Sequence, residues 1–328
     1  MIAPPLPKSN FSVGHRLGCF LCLWLFKLAA SVIFPLVEFF KPPPITTRPT
    51  WVKSYPCRPR LGCRIFFPSN YEPGKRLPLY FDIHGGGFAV CDARTDDPFC
   101  SSWAERTGML VVSLNYRKAP WHPFPIATTD IHAVALAVLA DETLPIDRNR
   151  VSMGGFSAGG QLVLSASQLP GLKGVVKAAI VYYPVVDFGA LTNEKLEARP
   201  YINGPKDNLE MPSWWIDWGF ISPGQNRRHP LLSPYYAKKE DLPPWVYCIG
   251  AQWDLLRVEA QEMIHRLAES DEPSDSEQDF ECGKYKWTLA TGCSHGFTHT
   301  EPTSHSPKTK AEWIYEEAHV WLKKSVLS

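Results

Sequence analysis

Arg150 to Gly154 (RVSMG) is a short apolar stretch of strand type that runs directly into Gly154-Gly155-Phe156-Ser157-Ala158-Gly159-Gly160, a GxSxG segment followed by a helix-compatible run. Few folds tolerate that junction. A serine hydroxyl is a poor nucleophile until it is held exposed beside a base, and a strand-to-helix turn tight enough to hold it needs glycine on both sides. The start of the following helix also directs backbone N–H groups at any negative charge that develops there. A second glycine cluster, His84-Gly85-Gly86-Gly87-Phe88, follows the strand-like LPLYFDI and lies 73 residues before Ser157. Successive glycines let bare backbone approach a bound carbonyl closely. N–H donors prearranged around an oxyanion are worth about 10²–10³ in rate each. The alternative, a flexible glycine turn, loses force once a serine turn stands at this distance. His84 is read as a support of the loop rather than as a base.

A nucleophilic serine needs a base and a carboxylate to orient it. His295, in Gly292-Cys293-Ser294-His295-Gly296-Phe297, follows the strand-like YKWTLA and is the candidate base. His299 and His305 lie close behind it as competitors, read as surface residues. Asp254 follows the strand-like Trp245 to Gly250 and is the candidate carboxylate. Asp241 and Glu259 are the weaker options, since the first precedes that strand and the second falls within the next helix. The order serine, aspartate, histidine along the chain agrees with a parallel-sheet hydrolase.

These motifs sit in a regular alternation. Strand-type runs are expected at Cys63–Phe67, Leu77–His84, Met109–Asn115, Arg150–Gly155, Ala178–Tyr183, Trp245–Gly250 and Tyr285–Ala290. Helices are expected at Ile131–Ala140, Ala158–Gln168, Leu256–Glu269 and Ala311–Lys323. Such alternation predicts an α/β fold with a mostly parallel central sheet covered by helices on both faces. Between Pro184 and Pro244 strand periodicity disappears and Trp214, Trp215 and Trp218 cluster, which reads as a helical cap inserted at about 185–243. The acidic run Glu269 to Glu281 reads as a solvated loop.

The chain has 328 residues and a net charge of +1, which gives no general reason to expect nucleic acid as a partner. The charge is uneven: residues 1–60 hold eight Lys or Arg against Glu38 alone, a balance of +7, leaving −6 for the rest. Nine cysteines, an odd number over a long chain, fit reduced thiols in an intracellular compartment. Cys19 and Cys22 have CxxC spacing, but no second Cys or His pair lies nearby, so no metal role is assigned.

Lys27 divides the apolar stretch from Leu17 to Phe40 into two ten-residue uncharged runs, each short of the ~18 residues of a clean span. On a helical wheel Arg16, Lys27, Ser31 and Glu38 share a sector of about 60°, and the remainder is apolar. Pro35 is expected to kink or end the helix. Two readings stand: residues 16–40 lie on an anionic membrane surface, peripheral to or anchored on an endomembrane, or they cap the protein's own site. A single span through Lys27, at about 2.5–3.5 kcal/mol, stays open, and a secretion signal fits poorly because Lys27 follows the apolar run. The Pro-rich Lys41–Tyr55 reads as an extended linker, giving an N-terminal segment 1–56 and a catalytic body 57–328.

Taken together, these motifs resemble the hormone-sensitive-lipase group of α/β-hydrolases, which includes bacterial esterases and arylacetamide deacetylase. The resemblance runs from about Pro78 to Phe297. It rests on His84–Phe88, on Asn115-Tyr116-Arg117-Lys118-Ala119-Pro120 with His122-Pro123-Phe124-Pro125, on Gly155–Gly160, on Asp254-Leu255-Leu256 and on His295-Gly296-Phe297. It implies oxyanion donors at Gly86, Gly87 and Ala158, and a cap built from the N-terminal segment plus an insertion after the sixth strand. Phe156, where many members carry Asp, and Leu255 and Val258, in place of the usual Pro and Asp, depart from the pattern without removing a catalytic group.

The expected activity is hydrolysis of a small apolar carboxylic ester through an acyl-serine on Ser157, with His295 and Asp254 as partners and with neither metal nor organic cofactor. An amidase, deacetylase, thioesterase or acyltransferase would use the same groups. An inactive small-molecule receptor is the remote alternative, and the sequence does not set the oligomeric state.

Overall fold

The structure, a computed structural model, describes residues 13–40, 42, 44–201, 204–269, 279–299 and 310–327. His305 and residues 270–278 of the acidic run lie outside the described residues. In chain order the elements are α1 (Val13–Phe40), β1 (Trp51–Lys53), β2 (Cys63–Phe66), β3 (Leu77–Ile83), α2 (Asp97–Thr107), β4 (Leu110–Leu114), α3 (Ile126–Ala140), β5 (Ile146–Phe156), α4 (Ala158–Ala166) and β6 (Val176–Tyr182). There follow α5 (Thr192–Ala198), α6 (Pro212–Phe220), β7 (Trp245–Trp253), α7 (Arg257–Ala268), β8 (Phe280–Cys282), β9 (Tyr285–Ser294) and α8 (Lys310–Ser325), with short 3-10 turns between several of them.

The strands form one sheet in the order β1-β2-β4-β3-β5-β6-β7-β9-β8. From β4 to β9 all pairings are parallel, and β1, β2 and β8 join antiparallel at the edges. Strand β3 shows how side-chain alternation builds both layers. Leu79, Phe81 and Ile83 pack into the core shared with α3, α4 and α7, while Tyr80 packs on the opposite face with Phe99 and Trp103 of α2 and Trp321 of α8. Because the strands run parallel, their carboxyl ends lie along one edge, where an open α/β sheet forms its site.

The fold corrects one expectation and adds two particulars of α1. The segment 41–55 is not simply an extended linker: Trp51–Lys53 pairs with Cys63–Phe66, so the sheet begins at residue 51 rather than near Cys57. Pro35 stands inside α1, which continues to Phe40, so of the two outcomes expected there the helix does not end. Within the polar sector of α1, Lys27 points inward and its Nζ donates to the carbonyls of Ala89 and Ala119, both at 2.7 Å. Beside it Cys19, Leu23 and Ala30 form the buried stripe of α1. Leu23 lies against Gly219 of α6, where an added Cβ would come within 2.5 Å of Leu23 Cδ2.

The three tryptophans of α6 also serve the seam with α1. Trp215 meets Phe26 at 4.9 Å, Trp218 meets Phe20 at 6.2 Å, and Trp214 stands half-exposed near His15. All nine cysteines are free thiols. Among the described residues no cluster of His, Cys, Asp and Glu is arranged to hold a metal ion.

Candidate active site

Strand β5 ends at Phe156 and α4 begins at Ala158, so Ser157 occupies the turn alone, with φ 53° and ψ −117°. A non-glycine residue in that region is strained and persists only where its surroundings fix it. Ser157 N donates to Tyr182 O at 2.8 Å, and the flanking glycines allow helix and strand to touch. A Cβ on Gly155 would stand 2.6 Å from the carbonyl carbon of Gly159, and one on Gly159 would overlap the carbonyl oxygen of Ile83. The glycines of the motif are therefore required by close approach of α4 to β3 and β5.

Asp254 follows β7 directly, and His295 follows β9 directly. His295 Nδ1 donates to Asp254 Oδ2 at 2.8 Å, and Ser157 Oγ donates to His295 Nε2 at 2.8 Å. The tautomer follows from the partner, since the Asp254 oxygen accepts and leaves Nε2 with its lone pair toward the serine. Asp254 is buried, and its Oδ1 accepts from Leu256 N at 2.9 Å, which fixes the carboxylate plane. The weaker candidates stand elsewhere. Asp241 pairs with Lys173 at 2.6 Å. Glu259 lies buried in α7, where it accepts from Val186 N and Asp187 N and pairs with Lys195. His299 bonds Asp96 instead of Ser157.

The glycine loop packs against this line. A Cβ on Gly85 would contact Ser157 Cβ at 3.5 Å, and Gly86 and Gly87 adopt φ values of 100° and 57° that favour glycine. Gly87, Ser157 and Ala158 border a cavity with about 510 Å³ of empty space, its open mouth included, walled by Val185, Phe188, Leu209, Ile216, Leu255 and Leu256. Gly86 is not among the lining residues; it lies against Val90 and Cys91. The wall's apolar character thus comes from Ile216 on α6 and from the loops, while the α6 tryptophans face α1. Its charged members are already paired, Lys195 with Glu259 and Asp217 with Arg227 at 2.5 Å. Burial pushes Glu259 up to about 7, against the opposing pull of Lys195. A neutral apolar group is the natural occupant of such a cavity.

His84 supports the glycine loop as expected, and sequence reasoning missed only the groups behind it, Asn115, Tyr116 and Lys118. His84 is fully buried, stacks on Tyr116 at 4.5 Å and donates from Nδ1 to Gly85 O at 2.7 Å. Its Nε2 accepts from Lys118 Nζ at 3.0 Å, and the same ammonium donates to Asn115 Oδ1 at 2.8 Å and Tyr116 O at 2.6 Å. All three lysine protons are placed. The Asn115–Pro120 motif held the signal, but only the fold shows that its lysine turns inward. Burial, reinforced by the Lys118 charge, pushes His84 down to about 3, and burial pushes Lys118 down to about 7.

Those two shifts make stability depend on pH. Both groups hold a proton less tightly in the folded chain than in the unfolded one, so the unfolded chain binds more protons between about 3 and 6.5 for His84 and between about 7 and 10.5 for Lys118. Stability therefore rises with pH through each window and is lost as pH falls. Glu259 opposes this below pH 7, its folded pKa being raised to about 7, and exposed thiols of the unfolded chain titrate from about 8.5. Between pH 7 and 8.5 the Lys118 contribution is expected to add about 1.6 kcal/mol of stability. Denaturant melts at these two pH values should show that rise in the wild type and a smaller one in Lys118→Met. Equal slopes would show that Lys118 has no part in it.

Residues 80–282 match the family model described as alpha/beta hydrolase fold. Among curated relatives, an arylesterase of Saccharolobus solfataricus is 30% identical over 210 residues, 62% of this chain and 67% of that protein. The neutral cholesterol ester hydrolase 1 of Mus musculus is 31% identical over 163 residues, 46% of this chain but only 38% of that protein. Among solved structures, the hyperthermophilic esterase of Pyrobaculum calidifontis superposes with a TM-score of 0.71 at 23% identity, covering 96% of this chain and 98% of that one. The last likeness establishes the fold alone.

Proposed function

The chain belongs to the α/β-hydrolase family, and from that premise we propose that it is a serine carboxylic-ester hydrolase acting on a small apolar ester. The observation that carries this reading is the hydrogen-bonded line Ser157–His295–Asp254 opening on an apolar cavity beside Gly87 and Ala158. His295 takes the Ser157 proton as Oγ attacks the ester carbonyl, Asp254 holds the imidazolium, and the N–H groups of Gly86, Gly87 and Ala158 receive the oxyanion. His295 then gives its proton to the departing alcohol. Water repeats the sequence on the acyl-serine and releases the acid. The arylesterase and cholesterol ester hydrolase relatives support ester cleavage.

The same acyl-serine would serve an amide or thioester, so the test is a p-nitrophenyl ester series run beside the matching p-nitroanilides and acyl thioesters. Ester turnover exceeding the others by tenfold or more is expected; preference for an anilide or thioester would replace the reading with an amidase or thioesterase. Chain length is set by Ile216, whose Cδ1 lies 2.7 Å from where a Gly87 Cβ would stand. Truncation in Ile216→Ala opens room for two to three carbons, each worth about 0.8 kcal/mol when buried. The ratio of kcat/KM for octanoate over butyrate esters is expected to rise about 15- to 60-fold. An unchanged ratio would place the acyl chain elsewhere.

We also propose that α1 seats the enzyme on an anionic intracellular membrane surface through residues 16–40, peripherally and without crossing it. Its outward stripe, Leu17, Leu21, Leu25, Leu28, Val32 and Leu36, is at least half-exposed along its whole length. Arg16 and Arg48 are exposed at the same end of the chain, and Trp121, 72% exposed, lies beside Trp24 of α1. Apolar stripe, bases and interfacial tryptophan are the elements of a monotopic contact. Flotation with phosphatidylserine-containing vesicles should carry the wild type and leave Leu21→Glu/Leu25→Glu/Leu28→Glu behind, with soluble-ester turnover retained. Equal flotation, or a dimer that buries the stripe, would contradict the proposal.

A further inference from the structure

A second imidazole–carboxylate pair lies beside the first and has no part in the reaction described above. His299, four residues after His295, bonds through Nε2 to Asp96 Oδ1 at 3.0 Å. Its Nδ1 meets Thr298 Oγ1 at 3.0 Å and Tyr183 OH at 3.2 Å, and Tyr183 OH also bonds Thr298 Oγ1. The Tyr183 ring stands edge-on to His295 with centroids 4.8 Å apart, and the His299 ring stands edge-on to Phe156, the residue before Ser157, at 4.6 Å. We propose that Asp96 and His299 are positioning residues that moor the loop carrying His295, so that its imidazole meets Ser157 and Asp254 together.

The loop needs such a mooring. Gly296 follows His295 with φ of 78°, and a Cβ on it would touch nothing within 4 Å, so the chain just beyond the imidazole is not held by close packing. Gly292 lies before it within β9, its N donating to Gln252 Oε1 at 2.7 Å. Beyond β9 the loop is restrained by Tyr183 on one side and Asp96 on the other. Tyr183 is itself fixed, being buried with φ 39° and its N donating to Ile249 O at 2.6 Å. Asp96 is buried at the end of the 3-10 turn Ala93–Asp96, nine residues beyond Gly87, so the mooring ties the base loop to the segment that follows the oxyanion glycines.

The charge on that anchor is also arranged. Asp82, fully buried on β3, accepts from Ser113 Oγ at 2.7 Å. Its Oδ1, like Asp96 Oδ2, has no hydrogen-bond partner among the described residues. Burial first, and the Asp96 charge second, hold the Asp82 carboxyl well above the usual carboxylate range. The two carboxyls thus lie together behind the imidazole, with Asp96 Oδ1 the oxygen turned to His299. A buried carboxylate that loses a charge-assisted partner is left poorly compensated, so the pair is a firm anchor.

The inference rests on the proposal that His295 serves Ser157, and the two fail differently. Fluorophosphonate labelling of Ser157 tests the latter and also counts competent sites. Per titrated site, His299→Phe is expected to lower kcat about tenfold with KM within twofold, because the base is misplaced while the acyl cavity is intact. His299→Gln, which keeps an N–H donor toward Asp96, should recover at least half of the loss on a logarithmic scale. Asp96→Asn covers the case in which His299→Phe does not fold, with an expected fall of threefold or more in kcat. A purely structural role would change melting temperature and the number of competent sites while leaving kcat per site unchanged. That outcome, or equal losses in His299→Phe and His299→Gln, would overturn the proposal.

Discussion

Ser157→Ala is expected to fold like the wild type and to lose about 10⁶-fold in kcat. The substitution deletes one oxygen whose hydrogen bond is to His295 Nε2, at 2.8 Å, and leaves every backbone bond of the turn in place. Alanine occupies the same φ of 53° at the same cost as serine, since both carry a β-carbon. The loss is that of the covalent route. The surviving rate is supplied by the oxyanion donors and by binding, about 10³–10⁴ over uncatalysed hydrolysis. Steady-state kinetics on a p-nitrophenyl ester, with circular dichroism as the folding control, measures it. Retention of a hundredth or more of wild-type kcat would move the nucleophile to another residue.

Asp254→Asn is expected to lower kcat about 10⁴-fold with little change in KM. The carboxylate accepts the Nδ1 proton at 2.8 Å from inside the protein, where it is 1% exposed. An amide in that place can present its NH₂ toward the imidazole, which favours the tautomer whose proton sits on Nε2 and faces Ser157. In that form no lone pair is available to take the serine proton. The other carboxylate oxygen accepts from Leu256 N at 2.9 Å, a bond the amide oxygen reproduces, so the NH₂ orientation is the one the backbone selects. The substitution therefore tests orientation and charge while leaving packing undisturbed. A loss below tenfold would show that Asp254 only packs against His295.

Much of the fold was legible because its strands are buried on both faces and read as apolar runs. Each such run from Cys63 onward matches an observed strand to within a few residues. The edge strands Trp51–Lys53 and Phe280–Cys282 escaped because three residues carry no period, and both pair on one side only. Helix α2, DPFCSSWAERT, escaped because its polar residues obscure the apolar face formed by Phe99, Cys100, Trp103 and Ala104. Helix α3 begins at Ile126, five residues before its expected start, since Thr128, Thr129 and Asp130 are weak helix formers that tertiary contacts override.

The candidate site was legible for a geometric reason. In a parallel sheet the residues just after each strand emerge at the same edge, so motifs placed after β3, β5, β7 and β9 had to converge. The contacts made from the side were not legible. Helix α6 is apolar on most of its circumference, so no wheel could tell that Ile216 faces the cavity and Trp215 faces α1. Spacing puts Lys27 on the polar sector of α1, and only the approach of Ala89 and Ala119 turns it inward. Phe156 replaces a polar residue because it stacks on Tyr182 at 4.6 Å and meets Phe99 at 4.9 Å, in a core layer absent from any local pattern.

The central claim is that Ser157 is an activated nucleophile, and covalent labelling reads it most directly. Incubation with a fluorophosphonate should add one phosphonyl group per chain, mapped by peptide mass spectrometry to the segment containing Ser157 and absent from both Ser157→Ala and His295→Ala. Label on another residue, or no label on a chain that still hydrolyses esters, would contradict the claim.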